Sequence, residues 1–139
     1  MKVFNQTLTI ETKGFSHIID ITNQLESAVE ESGIENGIAL VFVPGSTGGV
    51  TTIEYEPGLL KDFPELMEKL IPSNRSYHHD QTWHDGNGFS HLRSSLIGTS
   101  LVLPIYKGSV IHGTWQQVVI VDFDNRPRRR NVVIHLLGE

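Results

Sequence analysis

Along residues 2–11 the apolar side chains Phe4, Leu8 and Ile10 fall on one alternating face and Thr7 and Thr9 on the other, which predicts a half-buried strand. The period then changes. Leu25, Ala28 and Val29 follow helical spacing over residues 21–32, with Asp20 or Thr22 placed to cap the start and Gly33 to stop it. Gly37–Val43 is a short apolar run consistent with an interior strand; Pro44–Thr47 is a turn, and Val50–Glu54 reads as the next strand. Pro57-Gly58 opens a helical stretch over residues 59–70, in which Pro64 predicts a kink or two short helices. Ser90–Leu96 predicts a short helix ended by Gly98. Residues 101–105, 115–123 and 131–137 predict three closing strands.

Between these elements the chain turns polar from Ser73 to Phe89, where Asn74, Asp80, Asp85, Gly86, Asn87 and Gly88 predict a loop. No repeat or linker divides the chain. The order of strand, helix, paired strands, helix, loop, helix and strands predicts one α+β domain over residues 1–139, with antiparallel-rich sheets and no Rossmann-type alternation.

Composition narrows the chemistry. At 139 residues and 38% hydrophobic the chain can bury a single core without staples. Its net charge of −5 gives no general attraction to phosphate backbones or anionic lipid, so nucleic acid and membrane are not expected partners. Cysteine is absent, which excludes disulfides and thiolate sites, so any metal must use nitrogen and oxygen ligands. The first residues lack the apolar core of a signal peptide and no run approaches a membrane span; the expected compartment is the cytoplasm.

Chemistry concentrates between Tyr77 and Ser95. Tyr77-His78-His79-Asp80 and His84-Asp85-Gly86-Asn87-Gly88-Phe89-Ser90-His91 place four of the seven histidines within fifteen residues, beside two aspartates. Imidazole and carboxylate are ligands for divalent ions, and a carboxylate can orient a histidine through its other nitrogen. The same residues also suit a solvated polar loop, and both readings stand on the sequence. If residues 77–80 are extended, His78 and His79 point to opposite sides and only one faces a site. His91, Ser94 and Ser95 share one face of the short helix, with the serines also readable as a plain polar face. Gly113-Thr114-Trp115-Gln116 can present backbone N–H groups and a hydroxyl to an anion, with Trp115 read as core. Arg126–Arg130 is the one basic run; strand alternation splits it between two faces, which favours a solvated or subunit-contact strand over a nucleic-acid patch. Glu54 and Glu56 share a side of the chain, as a carboxylate source or a solvated edge.

The stretches Tyr77–Asp80, Asp85–His91, Ser94–Ser100, Pro104, Gly108, Gly113–Gln116 and Leu137-Gly138-Glu139 resemble the YjbQ-like family, in order and nearly end to end. The resemblance implies an α+β fold, a homotrimer with sites at or near subunit interfaces, and a thiamine-phosphate synthase activity. That reaction joins a pyrimidine diphosphate to a thiazole phosphate, releases pyrophosphate and uses magnesium. On this reading His79 and His91 bind a divalent metal, magnesium or zinc; Asp80, Asp85 and Glu54 are catalytic carboxylates; Ser95, Thr114 and Gln116 hold a small phosphorylated substrate. Gly45 stands where many members carry a histidine, which favours magnesium, or no metal, over tight zinc. A non-catalytic homotrimer that binds metal or ligand is the alternative.

Overall fold

The computed structural model describes residues 1–139. The strands are β1 (Lys2–Thr12), β2 (His17–Asp20), β3 (Asn36–Phe42), β4 (Gly48–Ile53), β5 (Ser100–Tyr106), β6 (Ser109–Val110), β7 (Gln117–Asp122) and β8 (Arg128–Gly138). The helices are α1 (Thr22–Ser32), α2 (Pro57–Leu70), α3 (His78–Trp83) and α4 (Gly88–Ile97). All strand pairings are antiparallel and form two sheets, ordered β1-β8-β3-β5-β6 and β2-β7-β4.

Period-two patterning explains the layers. On β8 the even positions Arg130, Val132, Ile134 and Leu136 are buried, and on β3 Ala39 and Val41 are, so one face of the large sheet turns inward. The apolar ones among these side chains meet Ile21 at the cap of α1, Leu25, Ala28 and Val29 within it, and Val50, Val118 and Ile120 of the small sheet in one core cluster. The opposite face of the small sheet packs Ile18, Val119, Val121 and Phe123 against Met67 of α2, with Leu60, Phe63 and Ile97 around them. Because β7 is covered on both faces, its apolar residues run without alternation, as a doubly buried strand requires. Each fully buried Val, Ile or Leu contributes about 1.5–3 kcal/mol of transfer free energy. No helix is long and apolar enough to cross a membrane.

Several elements differ from the sequence reading. The helix α2 runs unbroken through Pro64; the missing N–H leaves the Leu60 carbonyl without its helical partner, but packing of Leu60, Phe63 and Met67 holds the rod together. Its start is fixed by Glu56, whose carboxylate accepts from the backbone N–H groups of Gly58 and Leu59. The polar segment contains a six-residue helix, α3, where an open loop is expected. The short strands β2 and β6 escape the pattern altogether, and β8 begins at Arg128, not at Asn131. Trp115 is 72% exposed in the turn before β7 and fills no core.

Candidate functional site

The site is built where α3 turns back into α4. Asp80 is the joint: its Oδ2 accepts from the Tyr77 N–H and its Oδ1 from the Gly88 N–H, both at 2.9 Å, tying the first turns of the two helices together. Those two backbone donors, Tyr77 foremost, hold the Asp80 carboxyl below the usual carboxylate range. His84 and Gly86 take left-handed backbone conformations that reverse the chain between the helices. Gly88 allows the close approach, because a Cβ there would stand 2.7 Å from the Tyr77 Cβ.

This hinge brings the imidazoles of His79 and His91 together, with ring centroids 4.3 Å apart and the planes inclined by 38°. Burial, and next the nearby His79, hold the His91 imidazole below its ordinary pKa, in its neutral form. His79 Nδ1 is buried without a hydrogen-bond partner, and it lies 3.8 Å from Asp85 Oδ1 and 3.9 Å from Asp80 Oδ1. Ligand atoms of His79, Asp80 and Asp85 all lie within 4.8 Å of one another. An orphaned imidazole nitrogen facing two carboxylate oxygens fits a divalent cation, with Asp80 keeping lone pairs beyond the two it lends to backbone. The convergent donor set is therefore His79 with the two aspartates, and His91 stands beside it. Residues 77–80 are helical from His78, not extended; His79 is partly buried against His91 while His78 is exposed.

Two cavities meet at His91. One, of about 420 Å³, has no hydrophobic lining and is bounded by Gly45, Ser46, His91, Ser94, Ser95 and Thr99. The other, of about 300 Å³, is a largely apolar slot between Tyr77, His79, His91 and Leu92. The two serines of α4 differ in use: Ser94 is buried and donates to the Gly48 carbonyl at 2.5 Å, while the exposed Ser95 edges the polar cavity.

Behind the site lies a buried charge network. Arg130 donates to Asp122 at 2.8 Å and to Thr47 at 2.6 Å; Arg128 reaches Asp124 at 2.6 Å; Thr12 donates to Asp122. Burial alone would raise the Asp124 pKa, but the Asn125 N–H and Arg128 outweigh it and hold the carboxyl low. The buried Asn87 amide stands between the carboxylates of Asp85, 2.9 Å away, and Asp124, 3.4 Å away, and its NH2 donates to one or the other according to the amide's orientation. Arg128 and Arg130 are thus engaged internally, and of the basic run Arg126 and Arg129 face solvent. Arg130 and Asn87 were not singled out as functional on the sequence, although a signal existed. The buried positions of β8 are even-numbered, which directs Arg130 inward.

The remaining predicted residues lie elsewhere in the chain. Gly48 pairs with Asp122 at one end of the β4–β7 ladder and Ile53 with Gln117 at the other, five residues and about 17 Å away. At that far end Gln116 accepts from the Gly113 N–H and donates to Thr52 Oγ1, Thr114 is exposed with its carbonyl accepting from Gln117, and Glu54 is exposed. Glu54, Thr114 and Gln116 therefore do not join the histidine cluster within one chain.

Residues 6–139 match the family model described as UPF0047 protein YjbQ-like. A UPF0047 protein of Archaeoglobus fulgidus is 41% identical over 94% of this chain and 98% of its own length, and one of Methanothermobacter thermautotrophicus is 37% identical over 100% and 95%. The crystal structure of a YbjQ-like protein of unknown function from Sulfolobus solfataricus superposes with a TM-score of 0.94 at 34% identity, covering 99% of both chains. With fold, length and sequence in agreement, the chain belongs to the UPF0047 YjbQ-like family.

Proposed function

We propose that the cleft around His91 acts on a phosphorylated small molecule as a thiamine-phosphate-synthase-like transferase, joining a pyrimidine diphosphate to a thiazole phosphate. The observation that carries this reading is the position of His91 between an apolar slot and a polar cavity. A flat heterocycle suits the slot, a phosphate suits the cavity, and the bond between them then falls beside the imidazole. In the reaction the bond from the pyrimidine methylene carbon to the diphosphate oxygen breaks, its electron pair leaving with pyrophosphate. The thiazole nitrogen supplies the pair for the new carbon–nitrogen bond.

The chain's own groups have definable tasks. Tyr77 and Leu92 confine the ring and exclude water from the electron-poor carbon. His91 and Ser95 hold the diphosphate at the junction by hydrogen bonds. His79, Asp80 and Asp85 are the residues that would hold a divalent ion, which when bound supplies charge neutralisation to the leaving group. Magnesium agrees with the two carboxylate oxygens, and zinc with the imidazole.

The protein works, on this proposal, as a homotrimer. Glu54, Thr114 and Gln116 lie too far from His91 to serve one ligand in a single chain, and a neighbouring copy would bring them to it. Pyrophosphate release measured with both precursors is the test. Wild-type turnover should fall about a hundredfold in His91→Ala; turnover no higher in the wild type than in that variant rejects the reaction.

The non-catalytic reading is favoured by one feature, the buried unpartnered His79 nitrogen facing two carboxylates. Stoichiometric metal by elemental analysis, in protein inert with phosphorylated substrates, would establish it instead.

A further inference from the structure

We infer that the polar cavity beside His91 is a phosphoryl subsite backed, behind Gly45, by the Arg130 guanidinium. This rests on the proposed function for the nature of the whole ligand, but the subsite stands on its own geometry. The cavity is lined by glycine, hydroxyl and imidazole groups alone. Ser94 commits its hydroxyl to the Gly48 carbonyl; the hydroxyls of Ser46, Ser95 and Thr99 have no such protein partner and remain available. Just past α4 the carbonyls of Gly98 and Thr99 are taken by the N–H groups of Val50 and Val43, and within its last turn that of Ser94 is taken by the Gly98 N–H.

The second observation is independent. Arg130 is 8% exposed, and its buried Nε has no hydrogen-bond partner, whereas Nη2 is engaged by Thr47 and Asp122. A buried cationic N–H without an acceptor is costly unless something else accepts it. The guanidinium atom nearest the cavity is not Nε but Nη1, 3.4 Å from where a Cβ on Gly45 would stand and 3.2 Å from that of Gly48. Gly45 also lines the cavity, so the absence of a side chain leaves only backbone between the guanidinium and the cavity floor. Three free hydroxyls from two segments, an imidazole and a planar cation behind them match the several oxygens of a phosphoryl group better than the two of a carboxylate. The Asp122–Arg130 and Asp124–Arg128 pairs balance in charge. The attraction therefore comes from directed donors and not from net charge.

The test is titration of the full chain with inorganic phosphate and with pyrophosphate, read by calorimetry and by backbone amide shifts. Shifts should centre on Ser46, Ser95 and Thr99. Ser95→Asp, at an exposed helix position that does not threaten folding, should weaken binding about tenfold or more by placing a carboxylate in the cavity. Arg130→Lys keeps the charge opposite Asp122 but loses the planar donors, and should weaken it about tenfold. Absence of binding, shifts centred elsewhere, or unchanged affinity in Ser95→Asp overturns the subsite. Unchanged affinity in a folded Arg130→Lys overturns the part given to Arg130. Phosphate binding sensitive to Ser95→Asp, with no pyrophosphate release from the two precursors, would reject the reaction and keep the subsite. Full turnover by Ser95→Asp would do the reverse.

Discussion

Gly88 has no room for a methyl group. A Cβ there would meet the Tyr77 Cβ at 2.7 Å and Asp80 Oδ1 at 3.1 Å, so Gly88→Ala must part the first turns of α3 and α4. The expected cost is about 1–3 kcal/mol, as for other overpacked sites, and it should appear as a lower midpoint in denaturant titration with an unchanged slope. His112 lies on another part of the surface, beside Glu26. The Glu26 carboxylate 3.0 Å away raises its pKa, with burial opposing and the Gly113 carbonyl assisting. A histidine whose pKa is raised on folding stabilises fully below its unfolded value, and that stability is lost as pH rises through the folded value. The thermal midpoint of the wild type should therefore exceed that of His112→Gln near about pH 6 and converge with it near about pH 8. A gap constant across that window would assign the effect to packing.

The short helix α3 shows what an element's sequence can and cannot reveal. Its six residues cover less than two turns, too few for apolar periodicity, and none is buried, so only the cap could have announced it. Half of that capping box is Asp80, three residues after the cap Tyr77, read on the sequence as chemistry and found also to be structural. Asp80→Ala should release both the Tyr77 and Gly88 N–H groups, and amide exchange should accelerate across residues 78–83 while the core strands keep their protection. Equal protection in the variant would show that packing alone holds the element. The long strands were legible because alternation on β1 and the apolar runs of β3 and β7 are dictated by which faces are covered. The four-residue β2 was not, since its His17-Ile18-Ile19-Asp20 gains strand character only from the neighbouring β7. For the site, proximity in sequence carried the cluster: His79, Asp80, Asp85 and His91 lie within one hairpin of helices. Alternation along β8 directs Arg130 inward, but its nearness to Thr47 and to the site comes from strand register across distant segments.

At the scale of the molecule, the large sheet has one face with no layer over it. Along β3 and β5 the outward positions are Ile38, Leu40 and Phe42, paired in register with Pro104, Val102 and Ser100; Ile38 is 44% and Val102 54% exposed. Val133 and Leu137 of β8 and Val3 of β1 continue the surface, with Asn5 bonded to His135 inside it. A contiguous apolar sheet face is unusual on a chain that acts alone, and its burial against further copies supplies the driving force that the proposed homotrimer needs. Light scattering in line with size-exclusion chromatography should give three times the 15.6 kDa chain mass for the wild type. Val102→Lys places a charge at the middle of the face, where desolvation without a partner is strongly unfavourable, and should shift the mass toward that of one chain. The inner core does not involve this outward side chain, so the variant should keep its fold. Turnover should then fall with the loss of neighbours carrying Thr114 and Gln116, whereas phosphate binding beside His91 should persist in the single chain. A wild type of single-chain mass at micromolar concentration would remove the homotrimer, and with it the need for any second copy at the site.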